Sequence, residues 1–325
     1  MNKTYTIGVD LGATKIRLGI VSPGLKISGL IELTTDVKRG YQAVKNQIVD
    51  AVNALIKECP EPIAKIGIGV PGQVDPFSGE VVFSPNLNWK AMPFLTDLQA
   101  YFSLPVSICH DVRAAAWAEW KHGSGKKSQD LVCLFIGTGI GAGIVSGGQL
   151  LHGASHTCGE VGHMSLDFRG PVCACGRRGC FEAFVGGIGI ARQAERMIQK
   201  NEKGADIFLS LAGGRMENVS AKIVFEAYKQ GAAAAVKLLG KIHQALVSGC
   251  ANLVNSFNPS LLILGGGVIE GFPEMLSWVR EGVSRMALKA AVSHLQVETA
   301  KLGKDAGLIG AATILQEENH GKNNF

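Results

Sequence analysis

The spacing of apolar positions changes along the chain, and each change marks an element. "YTIGVDLG" is a strand-like run that enters a Gly-rich turn and continues into a second apolar run, the pattern of a β-hairpin. In "YQAVKNQIVDAVNALIKECP" the apolar residues Val44, Ile48, Val52, Leu55 and Ile56 share one helical face, and the pattern stops at Pro60, which predicts an amphipathic helix. "KIGIGVPG" returns to a strand running into a turn. "LVCLFIGTG" predicts another strand before a Gly-rich turn, and "VRAAAWAEWKHG" and the long Ala-rich "GAAAAVKLLGKIHQALVSGCANLVNSF" predict helices. "LLILGGGV" is a buried-strand run, Leu261 to Leu264, that ends in three glycines, and "DAGLIGAATILQEE" predicts a last helix. Strands and helices alternate, as in an α/β architecture.

Part of this pattern occurs twice. Thr14, Ile16, Gly19, Ile20, Val21, Ser22 and Gly24 recur 124 residues later as Thr138, Ile140, Gly143, Ile144, Val145, Ser146 and Gly148. A period this long is not that of a solenoid and points to a duplicated domain. We expect an N-terminal domain over residues 1–115, onto which a C-terminal helix of about 305–320 packs back, and a larger domain over 116–304. With no flexible linker between them, the two are expected to pack around a cleft.

A chain of 325 residues with 46% hydrophobic content can bury a core of this size. No apolar run reaches the roughly 20 residues of a membrane span and no leader precedes the first hairpin, so the expected location is cytoplasmic. A formal charge of +5 with only short basic spots, such as Lys126 and Lys127, argues against a nucleic-acid stripe. Of the eight cysteines only three cluster, so Cys59, Cys109, Cys133, Cys158 and Cys250 are expected to be reduced thiols.

Candidate chemistry concentrates in two kinds of segment. "GVDLGATK" puts Asp10 at a strand end with Gly12 in the turn, and "GTGIGAG" supplies Gly137 and Gly139 around Thr138. Turns without side chains let backbone N–H groups approach an anion, and the backbone at Gly265 and Gly266 could lie against a flat base or ribose. Tight turns and close packing are the plain alternative for any one cluster. A dinucleotide fold fits less well, because "GTGIGAG" leads into a strand rather than a helix, and the P-loop pattern is missing. "GHMSLDFRGPVCACGRRGCFE" carries His163, Cys173, Cys175 and Cys180, one imidazole and three thiolates, a complete tetrahedral set for a structural zinc; reduced core thiols are the alternative. Glu160 stands three residues before His163 and Glu182 two after Cys180, so a metal would bring the two carboxylates near each other; otherwise they are simply solvated.

These motifs together resemble the ROK family (repressors, open reading frames, kinases) of the actin-like, hexokinase-like ATPase superfamily over nearly the whole chain. "DLGATK" is similar to the family's first phosphate loop, "GTGIGAG" to its second, "LGGGV" to its adenosine loop, and "GEVGH" with "CACGRRGCFE" to its sugar-and-zinc signature. "GVPGQVDPFSGEVVFSPNLNW" resembles the sugar-side loop of family glucokinases. The resemblance implies two related actin-like (ribonuclease H-like) domains and an ATP-dependent hexose kinase, with glucose the first candidate and N-acetylmannosamine, N-acetylglucosamine and fructose as others. It implies ATP with Mg²⁺ and a structural Zn²⁺, and a homodimer. Asp10 would orient Mg²⁺ through water. Gly12, Thr14, Lys15, Gly137, Thr138 and Gly139 would cradle phosphates, and Gly265 and Gly266 would meet the adenosine. Asn86, His110, Glu160, His163 and Glu182 would hold the sugar.

Phosphoryl transfer to a hydroxyl also needs a carboxylate to take the proton. Asp111, between the strand-like "PVSICH" and an Ala-rich helix, matches the family's catalytic aspartate; a helix N-cap is the compatible plain role. The surroundings depart from the family pattern. Sugar kinases of the family usually read Glu-Asn-Asp-Ala-Asn where this chain has Cys109, His110, Asp111, Val112 and Arg113. A His before the Asp is more like the family's sugar-sensing repressors, so a regulator without catalysis is the second expectation. Such repressors carry a DNA-reading module ahead of the first phosphate hairpin, and with the hairpin beginning by Tyr5 no such module is expected here.

Overall fold

A computed structural model describes residues 4–314, and the part of the expected last helix beyond them lies outside the described residues. The described chain falls into two compact units. One holds the residues up to Gly123, His152–Cys158 and the residues from Leu302 onward; the other holds Ser124–Leu151 and Gly159–Lys301. The chain leaves the first unit a few residues beyond the boundary expected near 115. The helix Asp111–His122 packs as one piece, with its buried residues running from Arg113 to Trp120.

In the first unit the strands are β1 (Tyr5–Leu11), β2 (Lys15–Val21), β3 (Ile27–Thr34), β4 (Ile63–Val70), a small excursion of β5 (Gln73–Val74), β6 (Val81–Ser84) and β7 (Trp89–Met92), and β8 (Val106–His110). The main sheet has the order β3-β2-β1-β4-β8. β1 pairs antiparallel with β2 and parallel with β4, which in turn pairs parallel with β8. The helix Tyr41–Glu58 buries Val44, Ile48, Val52 and Leu55 in the core, and Ile56 packs at its margin. The helix Ala306–Thr313 consists of small and apolar residues because its neighbours come very close. A Cβ on Gly310 would run into the carbonyl of Ala114, and one on Gly67 of β4 into that of Ala311.

The second unit repeats this plan. Its strands are β9 (Leu131–Ile136), β10 (Ile140–Ser146), β11 (Gln149–Leu150), β12 (Leu261–Gly265) and β13 (Gln296–Thr299), in the order β11-β10-β9-β12-β13. The order, and the mix of two antiparallel pairings with two parallel ones, match the first sheet. The turns differ by one residue. Leu11 pairs with Ile16 across four residues, and Ile136 pairs with Ile140 across three. The long helix Ala233–Phe257 packs against the helices Glu274–Met286 and Phe181–Val185 and ends at Asn258 in the left-handed conformation with φ 44°. No described helix is long and apolar enough to cross a membrane.

Candidate functional site

In the first unit, the strand register brings the acidic groups together. Asp10, next to last in β1, pairs with Gly69 of β4, and Gly69 pairs with Cys109 of β8. Asp111 follows at the first position of its helix, and a Cβ on Gly69 would lie 3.3 Å from the Asp111 Cα. Both carboxylates therefore lie at the carboxyl ends of parallel strands, where open α/β sheets bind ligands. Burial, reinforced by the negative charge of Asp111, raises the Asp10 carboxyl to about 7, and Arg17 only partly offsets this. Burial likewise raises Asp111 to about 6, against the pull of the Val112 N–H and the Arg113 charge. Two such carboxylates side by side would be relieved by a cation, so the donor set fits Mg²⁺ chemistry.

The plain N-cap role expected for Asp111 is not what the helix shows. His110 is the capping residue, and Asp111 accepts at 2.7 Å from the N–H of its neighbour Val112. The His110 imidazole Nδ1 stands 3.4 Å from Asp111 Oδ1. Arg113 is buried; its guanidinium reaches His152 Nδ1 at 3.2 Å and donates to the His156 carbonyl at 2.7 Å. It thus secures the segment His152–Cys158, which returns to the first unit. Asn86 lies exposed in the turn between β6 and β7, where Asn88 N–H donates to the Pro85 carbonyl.

The first glycine turn is held by Thr35, whose hydroxyl donates to the Gly12 carbonyl at 2.7 Å and whose N–H donates to the Thr14 carbonyl at 3.0 Å. Across a trans peptide the N–H points opposite to the carbonyl, so the N–H groups of Ala13 and Lys15 face away from Thr35. Thr14 is exposed at the tip. The Lys15 ammonium is engaged by Glu32 at 2.9 Å. Arg17, with little exposure, joins this hairpin to the start of the last helix: it bonds Glu32 at 2.8 Å, Asp305 at 2.8 Å and the Lys304 carbonyl.

In the second unit, the carbonyls of Gly137 and Thr138 accept from Gly187 N–H at 2.8 Å and Ile188 N–H at 3.1 Å. The N–H groups of Thr138 and Gly139 consequently face the other way, as a pair of donors. Gly266, at φ 92°, turns the chain after β12, and a Cβ there would lie 2.5 Å from the Ile136 carbonyl, just before this loop. Gly265 is backed by Phe135. Glu160 precedes the short turn Val161–His163, and Glu182 lies in the first turn of the helix Phe181–Val185.

The expected metal ligands converge. The donor atoms of His163, Cys173, Cys175 and Cys180 all lie within 4.8 Å of one another. His163 Nδ1 is 3.8 Å from Cys173 Sγ, and Cys175 Sγ is 3.6 Å from Cys180 Sγ. A tetrahedral zinc with Zn–S bonds of about 2.3 Å needs edges of about 3.8 Å, so the set fits zinc and leaves no position for a reacting water. The other five cysteines, Cys59, Cys109, Cys133, Cys158 and Cys250, take part in no disulfide.

Some contributors were not visible in the sequence. Thr35, Gly187 and Ile188 orient the glycine turns from segments remote in sequence. Gly307 lies against Asp10, so that a Cβ there would be 2.7 Å from the carboxyl carbon. A small residue in an alanine- and glycine-rich helix gives no hint of such a neighbour.

The ROK family model matches residues 6–318. The chain is 32% identical over 315 residues to a glucokinase of Streptomyces coelicolor, covering 96% of this chain and 98% of that protein. It is also 30% identical over 314 residues to a xylose repressor of Caldicellulosiruptor bescii, covering 95% of this chain and 77% of the repressor. Among solved structures, a ROK family glucokinase of Streptomyces griseus in complex with glucose and AMPPNP superposes with a TM-score of 0.83 at 32% identity, covering 96% of this chain and 99% of that one. Its paired sheets have the actin-like ATPase fold of these glucokinases, and the chain belongs to the ROK family.

Proposed function

We propose that this ATP-dependent sugar kinase phosphorylates a hexose hydroxyl, with glucose as the first substrate and glucose 6-phosphate as the product. The observation that carries this reading is the pairing of Asp10 and Asp111 at the ends of parallel strands in a chain that resembles glucokinases over 96% of its length. Asp111 is the general base. At about 6, its pKa leaves it ionised at neutral pH yet more basic than an ordinary aspartate, which suits removal of a hydroxyl proton. Asp10 would orient, through water, the Mg²⁺ that accompanies ATP, and that ion would supply charge neutralisation for phosphoryl transfer. The N–H groups around Gly12, Thr14, Lys15, Gly137, Thr138 and Gly139 receive phosphate oxygens, and Gly265 and Gly266 meet the adenosine. Asn86, His110, Glu160, His163 and Glu182 hold the sugar, and zinc on His163, Cys173, Cys175 and Cys180 keeps that loop in shape.

A second reading, a sugar-responsive regulator, is favoured by His110 in the place of the usual asparagine and by the 30% identity to a repressor. N-acetylmannosamine, N-acetylglucosamine and fructose are the other sugar candidates. ADP release with Mg-ATP against a panel of hexoses and N-acetylhexosamines separates these readings. Sugar-dependent turnover that falls roughly 10²-fold or more in Asp111→Ala is expected. Sugar binding by calorimetry with no turnover for any sugar would instead support the regulator.

A further inference from the structure

We propose that Glu182 positions the second glycine loop, so that nucleotide binding depends on its carboxylate even when no sugar is present. The proposal rests on the phosphate-loop reading of Gly137–Gly139.

Glu182 Oε2 accepts from the Ile140 N–H at 2.8 Å, where the loop passes into β10. The other oxygen, Oε1, is 3.7 Å from Sγ of the metal-cluster residue Cys173. One carboxylate therefore spans the loop and the cluster. The adjoining segment secures the same loop a second time, through Gly187 and Ile188 on the carbonyls of Gly137 and Thr138. Its other end is anchored where the Phe181 N–H donates to the Met164 carbonyl at 2.8 Å, with the Phe181 ring fully buried. Gly139 is required by this arrangement, because a Cβ there would collide with Glu182 Oε2.

The physical consequence concerns donor direction. The Ile140 N–H is buried and would lose its acceptor if the carboxylate were removed. A loop with that group unpaired relaxes until it finds a partner. The Thr138 and Gly139 N–H groups then lose the fixed direction that makes them a prepared anion site. A residue that only contacted sugar would have no such effect on nucleotide.

The test is binding of Mg-AMPPNP without sugar, by calorimetry, to wild type, Glu182→Ala, Glu182→Gln and Gly139→Ala, each checked for folding by thermal melting. We expect Glu182→Ala to weaken binding about tenfold or more, and Glu182→Gln, whose amide oxygen can still accept from Ile140, to recover most of it. Gly139→Ala should weaken binding comparably with Glu182 still present, which keeps the test usable if Glu182→Ala fails to fold. Unchanged AMPPNP affinity in both Glu182→Ala and Gly139→Ala, with only the sugar KM raised, would overturn the proposal and leave the phosphate-loop reading intact. Failure of the wild type to bind AMPPNP would overturn both.

Discussion

Asp10 is held in a state that water would not favour. Its carboxyl, raised to about 7 first by burial and then by Asp111, retains a proton in the folded protein that the unfolded chain gives up near 4. The folded state therefore binds more protons than the unfolded state between about pH 4 and 7, and this contribution to stability is lost as pH rises through that window. Asp10→Asn, measured without metal, should be more stable than wild type by roughly 1–3 kcal/mol at pH 8, and the difference should shrink as pH falls toward 4. Urea unfolding at the two pH values checks this, and a gap that grew on acidification would contradict it. Asp10 was legible as a candidate because it stands at a strand end before a glycine turn. Its coupling to Asp111, about a hundred residues away, depends on the register of β1 against β4 and of β4 against β8.

The last described helix shows how an element can serve a site it does not belong to in sequence. Ala306–Thr313 was readable as a helix, but its role follows from what it touches: Asp10 beside Gly307, and the helix of Asp111 beside Gly310. Arg17 ties its start to the first hairpin through Asp305. Gly307→Ala has to displace the Asp10 carboxylate, helix or carboxylate giving way by several tenths of an ångström. Turnover should drop by at least about tenfold while the fold persists, given that misplacement of a catalytic group by about 1 Å can cost 10²-fold. Steady-state kinetics beside far-UV circular dichroism would show it, and unaltered kcat would mean that Asp10 tolerates the shift. At this scale the hairpins, the helix Tyr41–Glu58 and the strand Leu261–Gly265 were all evident from apolar period. The segment His152–Cys158, held by Arg113, was not, because its partners are a buried guanidinium and not a periodic face.

Across the whole molecule, duplication preserved the framework and not the chemistry. In the register of each sheet, Phe135 stands where Asp10 does and Gly265 where Gly69 does, so one copy keeps a carboxylate and the other presents an aromatic ring and a glycine turn. The second unit has a cluster of thiols and an imidazole that the first lacks among its described residues. A tetrahedral zinc there would crosslink a loop poor in regular structure, and its binding energy would support folding of that loop. Elemental analysis should find one zinc per chain, and treatment with a strong chelator should lower the melting temperature by several degrees and abolish turnover, both reversed by added Zn²⁺. Melting unaffected by chelation, with no metal found, would leave the four residues as reduced thiols.

By itself the sequence determined the class of elements, the duplication, the glycine turns and the candidate metal ligands, because each rests on local spacing: apolar period, turn chemistry or a short run of donors. The one-residue difference between the two turns explains why the repeat begins at Thr14 and not at the first strand: a shift of one position breaks the alignment upstream of each turn. Only the tertiary structure decided which groups meet. Strand register aligns Asp10 with Gly69 and Cys109, backbone carbonyls are turned by remote N–H groups, and Glu182 reaches both a loop and a thiol. Those are contacts between distant segments, set by packing, and no period within one segment encodes them.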